Sequence, residues 1–233
     1  MNKYTLAAVL LALLAAAAIL TVIVTGNDDQ TGIEIDEDDY ISFSSEDYGR
    51  ITVSSYDKKA ELFLSKAITD DDRDGDGTST IDSCLKYISN DAKDGNRLYE
   101  AILDFIHNEV GYVKDSVLYD SFDWAAYPVE TLYHSAGDCE DLVILTVALL
   151  DRAGYECGIA LFKDHAVAMV VLEDIIRTDD QSYIIIEEDG KTYWCLEMTQ
   201  DCEIGRTLDK YDLEGVKAFK TIHNFKNQLR DLA

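Results

Sequence analysis

An α+β domain behind an N-terminal membrane helix is the fold class the sequence predicts, and three observations carry it. Residues 4–26, YTLAAVLLALLAAAAILTVIVTG, hold no charged side chain. They are long enough for the ~20 residues a spanning helix needs, against the ~7–15 of a signal-peptide core. Leu142, Leu145, Thr146, Leu149 and Ala153 then recur at helical spacing after Asp138. Four β-rich runs follow, ECGIALF, HAVAMVVL, SYIIIEE and KTYWCLEM. A helix followed by such a meander implies a helix packed on an antiparallel sheet.

Taken in order, residues 1–26 form an uncleaved signal-anchor. Lys3 is the only charge before the apolar run, and NDDQTGIEIDEDD follows it. The positive-inside rule therefore keeps Lys3 in the cytoplasm and puts the acidic body outside the membrane. Residues 27–57 make an acidic linker ending in a hairpin, since YISFSSEDYGRITVSS alternates around Asp47-Tyr48-Gly49. Residues 58–94 form a helix–loop–helix from KKAELFLSKAI and IDSCLKYIS. Residues 95–233 make up the main domain, opening with a helix that has Leu98, Ile102, Phe105, Ile106 and Val110 on one face. Asp138 and Asp141 have the spacing of a capping box at the start of the next helix, and Gly154 is its stop. EEDGKT reads as a hairpin turn between the last two strands. The tail from Leu208 is expected to be mostly helical, with Val216, Phe219, Ile222 and Phe225 on one stripe.

Charge narrows the partners. With 46 Asp+Glu against 20 Lys+Arg, the net charge of -26 repels nucleic acid, and no basic patch offsets it. At 47% hydrophobic residues over 233 positions, the chain can bury one domain and still carry attachments.

The chemistry centres on Cys139. It stands in the first turn of its helix, where backbone N–H groups and the macrodipole favour a thiolate. The neighbouring acids oppose this, so an imidazolium is needed. His165, opening the strand HAVAMVV, is the best placed of the four histidines, and Glu197 on a later strand can orient it. The Cys139 backbone N–H would be one oxyanion donor, with Trp124 or Tyr127 the candidates for the second. A second motif is DDRDGDGTSTID, in which Asp72, Asp74 and Asp76 alternate before Gly77. That is the first half of a calcium loop, with the Thr78 carbonyl as the next ligand and Asp82 near the end. Ser83 holds position twelve, where a bidentate glutamate belongs. A structural Ca2+ is expected there, and no organic cofactor. The four remaining cysteines, Cys84, Cys157, Cys195 and Cys202, allow up to two disulfides in an exported domain.

Between about residues 110 and 205 the chain resembles the transglutaminase-like superfamily, the papain-related group of bacterial and archaeal cysteine hydrolases and acyltransferases. The matching segments are YPVETLYHSAGDCEDLVILTVALLDRAGYECGIALF, DHAVAMVV and YWCLEMT, in the family's order. The resemblance implies a papain-like core with Cys139 as nucleophile, His165 as general base and acid, and Glu197 orienting the imidazole. Two positions depart from the family pattern. Glu197 stands where aspartate is commoner, and His165 lacks the aromatic residue usual nearby. Catalysis would run through a thioester acyl-enzyme on a polypeptide of the cell surface or envelope. Water as acceptor makes a peptidase or amidase, and a lysine-like amine makes a crosslinking transglutaminase. From another class, the same fold could be a non-catalytic, calcium-dependent binding or scaffold module.

Overall fold

The computed structural model describes residues 33–35, 40–45, 49–69, 79–91, 97–120, 124–173, 175 and 183–232. The anchor over residues 1–26 lies outside the described residues, as do Asp72, Asp74, Asp76 and Thr78 of the calcium loop. Among the described residues, no helix is long and apolar enough to cross a membrane. In chain order the elements are β1 (Ile33–Ile35), β2 (Tyr40–Ser45), β3 (Gly49–Ser54), α1 (Ser55–Ala67), α2 (Thr80–Asp91) and α3 (Leu98–Glu109). Then come β4 (Gly111–Tyr112), α4 (Asp115–Leu118), α5 (Pro128–His134), β5 (Ala136–Gly137) and α6 (Cys139–Arg152). The chain ends in β6 (Cys157–Leu161), β7 (Ala166–Val171), β8 (Ile185–Glu188), β9 (Lys191–Leu196), β10 (Ala218–Thr221) and α7 (Ile222–Asp231).

The fold is mixed α+β. β1, β2 and β3 form an antiparallel sheet of their own, which includes the hairpin read from the alternating segment. The main sheet is antiparallel with the order β10-β6-β7-β9-β8, so the last strands do not run as a simple meander. β9 carries the buried Tyr193, Trp194, Cys195 and Leu196 and takes the inner place beside β7. β8 has its acids Glu187 and Glu188 and stays at the edge, where one side can face water. Asp189 and Gly190 both adopt positive φ between β8 and β9, as a tight hairpin turn requires.

The tail corrects the helical expectation. Ala218–Thr221 is a strand that pairs with the outer edge of β6, and only then does α7 begin. The close pairing depends on Gly158, where an added Cβ would stand 2.4 Å from the Lys220 carbonyl oxygen. Phe219 therefore packs edge-on against Tyr193, while Ile222 and Phe225 join the main core.

Strand alternation divides the sheet into two apolar faces. One face, with Cys157, Ile159, Ala168, Val170, Trp194 and Leu196, meets α6; the other holds Ala160, Val167, Met169, Tyr193 and Cys195. α6 packs on β7 and is surrounded by α1, α2, α3 and α5. Every residue from Leu142 to Leu150 is consequently buried, not just the stripe read from its spacing. α1 and α2 bring Phe63, Leu64, Ile81 and Ile88 into this same core. All five cysteines are free, and no disulfide forms. Cys157 and Cys195 lie on opposite faces of the sheet, which keeps that pair apart.

Candidate active site

The start of α6 is fixed by a buried carboxylate. Asp141 is fully buried; its Oδ1 accepts the Ala126 N–H at 2.6 Å and its Oδ2 accepts the Asp138 N–H at 3.4 Å. This is the acidic arm expected from the sequence, and it also ties down the segment ahead of α5. Gly137 makes room for it, since a Cβ there would sit 2.5 Å from the Asp141 Cβ. Burial pushes the Asp141 carboxyl up to about 7, against the Ala126 N–H that lowers it.

Cys139 then opens the helix beside Glu140, which is 7% exposed. The thiol donates to Glu140 Oε2 at 3.0 Å. Lys59 Nζ on α1 stands 4.0 Å from Glu140 Oε1. Burial raises the Cys139 thiol well above its ordinary range, and the Glu140 and Asp138 charges add to this; only the Ala166 N–H opposes them. Asp138 is likewise pushed up to about 9, by burial and then by its hydrogen bond to Glu140. Glu140 is lowered despite its burial, because Asp138, Cys139 and Lys59 all favour its charged form. At neutral pH the protons therefore rest on Cys139 and Asp138, and the negative charge rests on Glu140.

His165 lies at the head of β7, 8% exposed, in a turn closed by the Phe162 N–H donating to the His165 carbonyl at 2.8 Å. Its Nε2 is 2.9 Å from Glu197 Oε2. Oε1 of Glu197 accepts the Thr199 N–H at 2.8 Å and the Thr199 hydroxyl at 2.7 Å, and the Thr207 hydroxyl donates to Oε2. Burial pushes the Glu197 carboxyl up, but His165, Thr207 and Thr199 outweigh it and bring it down to about 2. An ionised carboxylate only accepts, so Nε2 carries the proton and Nδ1 is the unprotonated nitrogen of the neutral ring. His107 Nε2 reaches the Glu197 carbonyl at 2.8 Å and fastens the backbone behind it. The Tyr211 ring stacks on the imidazole at 4.9 Å and 6°, with Phe162 packed on Tyr211 at 4.7 Å.

Cys139 and His165 open into one cleft of about 380 Å³ that also exposes Tyr112, Asp138 and Glu140. Glu197 stands behind the imidazole. Trp124 and Tyr127 do not line the cleft. The Trp124 ring packs on Tyr119, its backbone N–H donates to Asp115 Oδ2 at 2.5 Å, and the Lys66 ammonium sits 4.0 Å from the Tyr127 ring. Asp82 lies in the first turn of α2, where Arg152 Nη1 meets it at 2.8 Å. Among the described residues, two groups bring ligand atoms within 4.8 Å of one another and could share a cation: Asp138, Cys139 and Glu140; and Asp115, Asp138 and Asp141.

Sequence reasoning missed the roles of Glu140, Thr207 and Tyr211. Glu140 was visible as the residue after Cys139. Thr207 and Tyr211 lie in a loop with no local pattern and reach the site only through the sheet order. Comparison with protein-family models, curated proteins and solved structures finds no match.

Proposed function

We propose that the chain is a cysteine amide hydrolase on a transglutaminase-like, papain-related core, working through a thioester acyl-enzyme. The observation that carries this reading is the His165–Glu197 contact of 2.9 Å in the wall of the cleft that holds Cys139. The Cys139 sulfur attacks the carbonyl carbon of an amide while its proton passes to His165 Nδ1. The helix-start N–H of Cys139 lacks an intrahelical partner and donates to the oxyanion. The C–N bond breaks as His165 returns that proton to the leaving amine. Water then attacks the thioester with His165 as base, and the free thiol is restored. Glu197 keeps the imidazole in the right tautomer throughout.

The charge-free run of residues 4–26 and the acidic segment after it support a single-pass anchor with this body outside the cytoplasm, acting on surface or envelope polypeptides. Calcium held by Asp72, Asp74, Asp76, Thr78 and Asp82 belongs to the same proposal, as a structural ion.

Two tests bear on it. Cleavage of an unfolded polypeptide, read as new N-termini, should vanish in Cys139→Ser and His165→Ala. A primary amine supplied in millimolar excess separates the acceptors: hydrolysis should dominate, and amine incorporation in its place would make the chain a crosslinking transglutaminase. One observation favours a second reading. The grip of Glu140 on the thiol suits a non-catalytic binding module, and absence of any acyl transfer from the folded chain would leave that reading standing.

A further inference from the structure

Cations are scarce in this chain, 20 Lys+Arg against 46 Asp+Glu, so nearly any lysine can find a carboxylate. Lys58, Arg152, Lys191, Lys210, Lys220 and Lys226 each do so. Lys114 and Lys163 are both exposed and form no ion pair among the described residues, yet both line the cleft of Cys139 and His165. They come from separate elements. Lys114 precedes α4, two positions after Tyr112, and Lys163 lies in the β6–β7 turn, two positions before His165.

Two carboxylates of the cleft are met by lysines. Glu140 is met by Lys59 at 4.0 Å. Asp164 accepts from Lys210 at 3.2 Å and from the Tyr211 hydroxyl at 2.8 Å. Asp115 is buried, 2% exposed, and takes the Trp124 N–H. Lys114 and Lys163 are thus the exposed cations of the cleft that no carboxylate among the described residues holds, in a molecule otherwise strongly negative.

We infer that the cleft selects polypeptides with acidic side chains next to the scissile amide, and that Lys114 and Lys163 are the residues that recognise them. This deepens the acyl-transfer reading and rests on it. Surface charges act over about 8 Å at physiological salt. An extended chain advances about 3.3–3.6 Å per residue, so the preference should concern acids within roughly two positions of the bond. A rim charge of this kind sets partner choice and encounter rate more than total affinity.

The test is made on the full chain carrying Cys139→Ser, so that bound peptide is not turned over. Fluorescent peptides with Glu, Ala or Lys on both sides of a central amide are titrated by anisotropy at low and physiological salt. The Glu-flanked peptide should bind tighter than the Ala-flanked one by about two- to five-fold per lysine, with the gap narrowing as salt rises. Lys114→Glu with Lys163→Glu should reverse the order in favour of the Lys-flanked peptide. Lys114→Ala with Lys163→Ala should erase the preference without reversing it. Equal affinity for the three peptides, no binding of any, or an unchanged order in the charge-reversed chain would overturn the inference. Cleavage by the chain with Cys139 intact is followed in parallel. If the binding order holds while nothing is cleaved or acylated, acidic selection stands and the acyl-transfer reading falls.

Discussion

On one side of the cleft the Cys139 sulfur points its proton at Glu140, with Asp138 pressed against the same carboxylate. On the other, Glu197 receives hydrogen bonds from four donors on His165, Thr199 and Thr207. All these carboxyl groups are largely withdrawn from water, yet Asp138 is driven up to about 9 and Glu197 down to about 2. Burial pushes both the same way. The difference lies in what surrounds them, since donors favour the anion and a neighbouring carboxylate favours the acid. The imidazole side is thus held ready as a fixed anion and an oriented ring. The thiol side is held at rest, with its proton kept in place by burial and by Glu140.

Four changes would break or sharpen this contrast. The largest effect belongs to His165→Ala, which takes away the base of the proposed acyl transfer. Single-turnover acyl transfer should fall by about 10⁴-fold, and a loss under ten-fold would mean the ring is mere packing. Next comes Glu140→Gln, which keeps the shape and removes the charge facing the sulfur. Iodoacetamide alkylation of Cys139 at pH 7 should speed up on the order of ten-fold, as expected of a thiol lowered by about one pKa unit. An unchanged rate would show that Glu140 does not restrain the thiol.

Thr207→Val is expected to act on the other side. Glu197 is depressed in the folded chain, so its stabilisation is complete above the unfolded value near 4.5 and is lost as pH falls towards about 2. Without the Thr207 donor the chain should lose about 1.5 kcal/mol at pH 7 and show a shallower acid dependence, measured by urea unfolding at pH 7 and pH 3. Asp138→Asn should act with the opposite pH sense. The raised Asp138 carboxyl stabilises below 3.8 and loses that contribution as pH climbs through about 9. Thermal unfolding of Asp138→Asn should match the parent at pH 4 and exceed it progressively towards pH 9. A gain confined to acid would contradict the assignment of the proton.

Much of the site could be read in the sequence because it depends on local rules. The helix start at Cys139 follows from Asp138 and Asp141, and the strand after His165 from its run of apolar residues. The β8–β9 turn follows from Asp189-Gly190. Features set by distant partners could not be read. β10 exists because Gly158 leaves β6 an edge that another strand can approach, and no pattern in the 218–221 segment announces it. The aromatic cover of His165 comes from Tyr211 after a long loop. The burial of every side of α6 reflects four helices folding around it, which its own spacing does not reveal.

The most direct measurement is to trap the acyl-enzyme. The purified chain is mixed with an activated aryl ester, quenched in acid, and mapped by mass spectrometry, alongside His165→Ala and Cys139→Ser. A single acyl adduct on Cys139, formed in the parent and slowed at least a hundred-fold in His165→Ala, is the expected result for a base-assisted nucleophile. Acylation of Cys139 at equal rates with and without His165, or none while the chain is folded, would contradict it.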